Sequence, residues 1–500
     1  MAATADNGNV KLLFSDIFGV EPREVRRYGA LDISLVSDLP LFIDPFLLFN
    51  SQKKRYQQLH RGIIRYLAFL RQMSHTTAPD SALVVAWYTF PEVSQTWLGF
   101  TRTGNRGRGL GIGFARALHG NLGRLFSNFG DEQITQGSHL EKLCLIEDGV
   151  GRDNISDFTT NLIKEYLLDY TQVFARKFIA RSACKEIAVQ KVRFNYNTRS
   201  WEPRSFVLPY VEGDYVILTP RDMLTKDNPW INRADLIEDF EAIPDSIPDA
   251  QLRAQVNAYF REMLPKEPKR EDRQSAAVAT IRQFPVLVDY YIRHKEEEGD
   301  SAVSISRDKV RVSEQLYLRQ FSQLANLLHS STGFYKVPGN TCDEARGRAQ
   351  FLKDVVENKG GYRLFYVDGE PVRKEEDLHV AYRLTWFGTP SDVSTEVNDG
   401  RGPADFKVSR GAFDKAIVEF KLASNTKLKK NLAKQAEIYQ EASDATCALK
   451  VIIFFTKVEQ DRVYRILKQL GLDNDGDLFR FDIILIDARN DNKPSGSKAA

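Results

Sequence analysis

Cysteine, methionine and histidine are scarce in this 500-residue chain, at four, four and seven copies. The cysteines, Cys144, Cys184, Cys342 and Cys447, are widely scattered and form no Cys-x-x-Cys pair. That pattern predicts neither a disulfide framework nor a zinc site, and it suits a reducing cytoplasm. The histidines, His60 and His119 among them, lack metal-ligand spacing and read as surface or satisfied core residues. An excess of one charge is missing too. Sixty-nine Lys and Arg against 67 Asp and Glu leave a net charge of +2, which argues against a tail-driven, histone-like binder. No apolar run reaches the roughly 20 residues of a membrane span. Leu39–Phe49 is apolar but broken by Pro40, Asp44 and Pro45, and reads as buried packing. The start, MAATADNGNV, has no basic flank followed by an apolar stretch, so no signal peptide is expected.

The length predicts two or three domains. Residues 1–10 and 489–500 have the composition of disordered ends. Residues 11–265 read as an N-terminal α+β domain with a recognition or regulatory role. A long amphipathic helix over Arg55–Met73 opens it, followed by a strand at Ala82–Tyr88. A glycine-rich segment at 103–113 leads into a helix and reads as a flexible loop. A helix over Asp157–Phe178 carries Phe158, Leu162, Tyr166 and Tyr170 on one stripe, expected to face a core. Strands fill Ala188–Leu218, where Arg193, Tyr196, Trp201 and Arg204 read as a half-solvated sheet face. Proline and charge cluster at both ends of 244–275, which sets a boundary near 265–275. Residues 266–340 read as a helical connector. Residues 341–488 alternate helix and strand as an α/β domain, a mixed sheet flanked by helices.

What the chain does have is concentrated in Gly400–Tyr439. Asp405 ends a Gly/Pro turn, Pro403-Ala404-Asp405. A strand, Asp405–Val408, then turns at Ser409-Arg410-Gly411 and returns over Lys415–Phe420, carrying Glu419-Phe420-Lys421. Alternation puts Glu419 and Lys421 on one face and Phe420 on the other, toward the core. A basic helix follows with Gln435 and Tyr439 one turn apart. Hydrolysing a phosphodiester calls for a divalent cation that polarises the phosphoryl oxygen and acidifies the attacking water. Carboxylates on neighbouring strands supply the oxygen ligands that Mg²⁺ prefers. An ammonium beside them orients the nucleophile or stabilises the charge of the transition state. Lys407, Arg410, Lys415, Lys427, Lys429, Lys430 and Lys434 cluster nearby and can neutralise backbone phosphates.

Asp, then Glu-x-Lys, then Gln-x-x-x-Tyr resembles the PD-(D/E)XK nuclease superfamily, in its RecB-like branch. The likeness covers about the last 150 residues, and Ala404 separates the proline from the aspartate of the motif. It implies a restriction-endonuclease-like fold, catalysis through Asp405, Glu419, Lys421 and Gln435, and Mg²⁺ with Mn²⁺ as a substitute. Asp405 and Glu419 would be metal ligands, and Tyr439, Lys427, Lys430 and Lys434 would contact substrate. The superfamily adds an acid from upstream. Glu396 is favoured here, Glu375 and Glu376 of the run Glu375–Asp377 are alternatives, and Asp399 reads as a turn residue. The expected activity is a DNA endonuclease of a restriction or antiphage-defence system. No helicase or ATPase motif is present, so any motor or sensor would be a separate protein; a homo-oligomer is a further expectation. Two alternatives stand: an inactive nucleic-acid-binding scaffold on the same fold, disfavoured by the retained acids and lysine, and an RNase. Nothing in the residues separates DNA from RNA.

Overall fold

The apolar period of the first half builds helices before it builds any sheet. The computed structural model describes residues 12–493, apart from 37, 79–80, 100–109, 126–131, 147–150, 212, 331–339, 387–390, 399–402, 410–413, 434–446 and 473–482. The expectations for residues 1–10, for the glycines at 103–109 and for the tail beyond 493 lie outside the described residues. A short strand, β1 (Leu41–Ile43), lies in the buried stretch that follows Leu39. Helix α1 (Lys54–Ser74) buries Ile63, Tyr66, Leu67 and Leu70. The next element corrects the expectation. Ala82–Tyr88 is a helix, α2, because Ser81 caps it by accepting from the Val84 amide at 3.3 Å. Seven consecutive apolar residues do not distinguish a strand from a helix by period, and the cap decides.

The long helix expected at 157–178 is two: α3 (Arg152–Leu162) and α4 (Lys164–Phe178), broken at Ile163. Phe158 is buried, but Leu162, Tyr166 and Tyr170 are only half-buried, so that stripe does not end in the core throughout. Strands β2 (Cys184–Asn195) and β3 (Ser200–Val211) form an antiparallel hairpin. Phe194 and Trp201 pack on Tyr66 at 4.9 and 5.3 Å, so Trp201 faces packing, while Arg204 sits at the surface on Glu165. Strand β4 (Leu224–Lys226) pairs with β1. Helices then run through α5 (Gly299–Ser313) to α6 (Thr341–Asn358) and α7 (Glu375–Thr385).

Among the described residues the C-terminal sheet has five strands: β5 (Asp392–Asn398), β6 (Pro403–Ser409), β7 (Lys415–Leu422), β8 (Cys447–Phe454) and β9 (Ile483–Asp487). They lie in the order β9-β8-β7-β6-β5. The first three form an antiparallel meander, and β8 and β9 join parallel to β7. Parallel pairing demands crossovers. The second of these is α8 (Lys457–Gln469), and residues 428–433 begin a helix in the first. Each face of the sheet has its own apolar layer. Phe406, Val418, Phe420 and Val451 join the main core, which reaches from Leu12 to Ala488. Ile452, Phe454 and Leu485 pack with Leu428, Leu432 and α8. The sheet is therefore mixed and flanked by helices on both faces.

The cysteine expectation is overturned. Cys342, at the start of α6, is joined to Cys447, at the start of β8, with 6.0 Å between their Cα atoms. The two lie 105 positions apart, but the crossover returns β8 beside α6. Linear scatter is no guide to pairing once topology folds the chain back. A loop of that size contributes about 4–5 kcal/mol in the chain-entropy picture.

One buried pair makes stability depend on pH. Asp44 and Glu141 are both fully buried. Asp44 accepts from the Phe46 and Trp230 amides at 3.0 and 2.8 Å, whereas among the described residues neither carboxyl oxygen of Glu141 meets a hydrogen-bond partner. Burial, and then repulsion from Asp44, pushes the Glu141 carboxyl well above the usual carboxylate range. The folded state thus favours the protonated acid. Its contribution is full in acid and is lost as pH rises from the ordinary carboxylate value through the raised one. Glu141→Gln is expected to melt like wild type near pH 5. At pH 9 it should be more stable by at least about 1.4 kcal/mol, the worth of one unit of pKa shift, because only the wild-type side chain ionises there. Melting temperatures measured across that range check this, and a parallel decline in both proteins would contradict it.

Candidate metal and phosphodiester site

The antiparallel meander puts its acids in a row. Between β6 and β7, Val418 pairs with Phe406 and Ala416 with Val408, so the next position in that register sets Asp405 opposite Glu419. Between β5 and β6, Thr395 pairs with Phe406 and Val397 with Ala404, so the position between them sets Glu396 opposite Asp405. Facing positions on neighbouring strands are about 4.8 Å apart and share a face of the sheet. Glu396, Asp405 and Glu419 therefore occupy one level on three adjacent strands. The row continues into β8, where Glu419 pairs with Lys450. An all-oxygen set of this kind fits a hard divalent cation such as Mg²⁺.

Strand alternation governs what lies on either side. Phe420 turns into the main core, where its ring centroid lies 4.2 Å from that of Tyr382 on α7. Glu419 and Lys421 occupy the opposite face and are 3 % and 8 % exposed. An ion this deeply buried is costly unless it is paired. Lys421 Nζ lies 3.6 Å from Glu375 Oε2. Glu375 is the first residue of α7, and its Oε1 accepts from Asn425 Nδ2 at 2.8 Å and from the Leu422 amide at 3.3 Å. Arg462 on α8 donates to the carbonyls of Ala423 and Asn425 at 2.9 Å each. The end of β7 is thus held from both flanking helices.

Glu375 and Glu396 are brought to different parts of the site: the first to Lys421, the second to the level of Asp405. The Glu376 side chain, Asp399, Arg410, Lys434, Gln435 and Tyr439 lie outside the described residues. Lys427, Lys429 and Lys430 are exposed at the start of the helix that begins at residue 428. Asp377, the last residue of the Glu375–Asp377 run, is buried. It pairs with Lys226 of β4 at 3.1 Å and accepts from the Tyr317 hydroxyl. One residue on from β4, Asp227 pairs with Lys374. The start of α7 is therefore strapped to the N-terminal half.

Two residues went unnoticed in the sequence. Lys450 is 3 % exposed, and its Nζ donates to the Leu432 carbonyl at 3.4 Å. Its signal was a lone lysine inside the apolar run Ala448-Leu449-Lys450-Val451-Ile452-Ile453. Asn425 had no such signal, because its partners are remote.

Two family models match the chain, both described as domains of unknown function: DUF8370 over residues 19–232 and DUF8371 over residues 341–457. No curated protein and no solved structure matches. The second match runs from the start of α6 to the start of α8. It takes in Glu375, Glu396, Asp405, Glu419, Lys421 and Lys450. The family unit and the candidate site coincide.

Proposed function

We propose that the chain is a Mg²⁺-dependent phosphodiesterase that cuts DNA, built on a restriction-endonuclease-like sheet. The observation that carries this reading is the row of acid positions at 396, 405 and 419, with the buried Lys421 two residues beyond Glu419 on the same face. Helix, hairpin, helix, strand, helix, strand is also the order of elements that the resemblance implies.

Asp405, Glu419 and Glu396 would hold the cation. When bound, Mg²⁺ polarises a phosphoryl oxygen and acidifies the attacking water. Lys421 presents its ammonium to the developing negative charge, and Glu375 positions that ammonium. Low water access strengthens this interaction without reorganisation at the moment of reaction. Lys427 and Lys430 meet backbone phosphates, which makes binding salt-dependent. Gln435 and Tyr439 would contact the substrate strand, as the resemblance implies. An effector role in restriction or antiphage defence, with a separate sensor or motor, fits a nuclease that lacks motor motifs.

The test is incubation of the purified chain with supercoiled plasmid, linear duplex, single-stranded DNA and RNA in Mg²⁺, Mn²⁺ or EDTA. Cleavage of a DNA substrate in either metal, and none in EDTA, is the expected result. Undiminished cutting in EDTA with metal-free reagents would overturn the reading, and cutting confined to RNA would redirect it to an RNase.

A further inference from the structure

Between the N-terminal helices and α5 lies a cavity of about 640 Å³ that the phosphodiesterase reading does not use. Small-molecule sites occupy roughly 300–1,000 Å³. Its lining joins two kinds of side chain. One wall is tyrosine. The Tyr28 and Tyr170 rings are 4.5 Å apart, and Tyr166 stacks along α4 on Tyr170 at 6.0 Å and 30°. Tyr28 donates to the Tyr170 carbonyl at 2.8 Å and Tyr170 to that of Tyr28 at 3.1 Å, which locks the pair. Tyr56 completes the wall by donating to Asp222 at 2.7 Å. Burial pushes the Tyr28 phenol up to about 12, so its ring stays neutral.

The other wall is cationic. Lys53 pairs with Asp222, and Arg221 with Glu314 at 2.6 Å, which accounts for the carboxylates at hand. Among the described residues, no carboxylate lies within ion-pair distance of Lys54, Arg55 or Arg307. Arg55 rests over the Tyr166 ring at 5.5 Å. The cations are also placed against the backbone. Lys53, Lys54 and Arg55 stand at the N-cap and first two positions of α1, a 21-residue helix with no acid in its first turn and no side-chain cap. A helix N-terminus repels cations and attracts anions. A bound anion relieves both the unpaired side chains and the helix end.

A ligand that satisfies both walls has a planar ring and several negative charges. We propose that this cavity, between the tyrosines of 28, 166 and 170 and the cations of 54, 55 and 307, is a nucleotide site. The base stacks on the tyrosines and the phosphates meet Lys54, Arg55 and Arg307. Stacking of bases on aromatic rings tolerates any base. The same chemistry comes from a free nucleotide or from the phosphorylated end of a strand.

The full chain is titrated calorimetrically in EDTA, which removes any metal-dependent contribution from Asp405 and Glu419. The result therefore stands apart from the nuclease reading. The probes are ATP, GTP, adenosine, inorganic tripolyphosphate and a 5′-phosphorylated hexathymidylate. ATP or GTP, or the hexamer if strand ends are the source, is expected to bind at least about tenfold more tightly than adenosine or tripolyphosphate. Lys54→Glu and Arg307→Glu alter exposed side chains, so melting should not fall, and each should weaken binding by about tenfold or more. Tyr166→Leu should weaken the nucleotide and leave tripolyphosphate unaffected. No heat from either nucleotide or from the hexamer up to about 1 mM would overturn the proposal. So would tripolyphosphate binding as well as ATP, or the two charge reversals leaving affinity intact.

Discussion

Replacing Asp405 or Glu419 by alanine is expected to lower Mg²⁺-dependent plasmid cleavage by at least about a hundredfold. Loss of a mere outer-shell partner of a metal ligand already brings 10–100-fold. The two positions face each other across β6 and β7, so each change would remove one carboxylate from the proposed cation set. The fold should survive, because like charges set side by side repel when no cation lies between them. Melting temperature should stay near wild type or rise. Single-turnover cleavage measured beside thermal melting separates the outcomes. An alanine variant that cuts at the wild-type rate would remove the acids from the chemistry, and one that fails to fold would assign Glu419 to the core of the sheet.

Lys421→Ala should cost roughly a hundred- to a thousandfold in turnover, the range seen when a single preorganised donor to transition-state charge is lost. Lys421→Arg should retain part of the rate, since it keeps the charge but not the shape. Metal affinity should change far less than in Asp405→Ala. Glu375 touches Lys421 and belongs to its positioning, so Glu375→Gln should lower kcat by about tenfold with little change in KM. Combined with Lys421→Ala it should add nothing, because neighbours acting through one group are not additive. Independent losses in the double variant would break that link, and a fully active Lys421→Ala would leave Glu419-Phe420-Lys421 as an ordinary strand end.

The hairpin was legible because its signals are local. The Gly/Pro turn, the apolar run from Ala416 and the alternation of Glu419, Phe420 and Lys421 fix strand, turn and face within twenty residues. Phe420 packs inward on Tyr382, as alternation requires. The ends of α1 were readable to within a residue for the same reason. What could not be read depends on partners far along the chain. Glu375 finds Lys421 across 46 positions, and Asp377 finds Lys226 across 151. Lys450 becomes part of the acid row only through parallel pairing with β7. Ala82–Tyr88 misled because a short apolar run carries no period of its own. Tyr166 and Tyr170 misled because a stripe of aromatic rings is equally suited to a core and to a cavity wall.

The bond between Cys342 and Cys447 has a bearing on how the molecule comes apart. It makes a covalent ring of the chain from α6 to β8. Glu375, Glu396, Asp405, Glu419 and Lys421 all lie inside that ring, and β9 lies outside it. A protease that nicks the backbone at any one point between 342 and 447 opens the ring without releasing a fragment. The two pieces travel as one molecule until a thiol reagent reduces the bond. A single cut outside the ring, by contrast, frees its fragment at once from any covalent hold. Mapping nicks with and without reductant would therefore divide the chain into a tethered segment and an untethered remainder, and every candidate acid belongs to the tethered one.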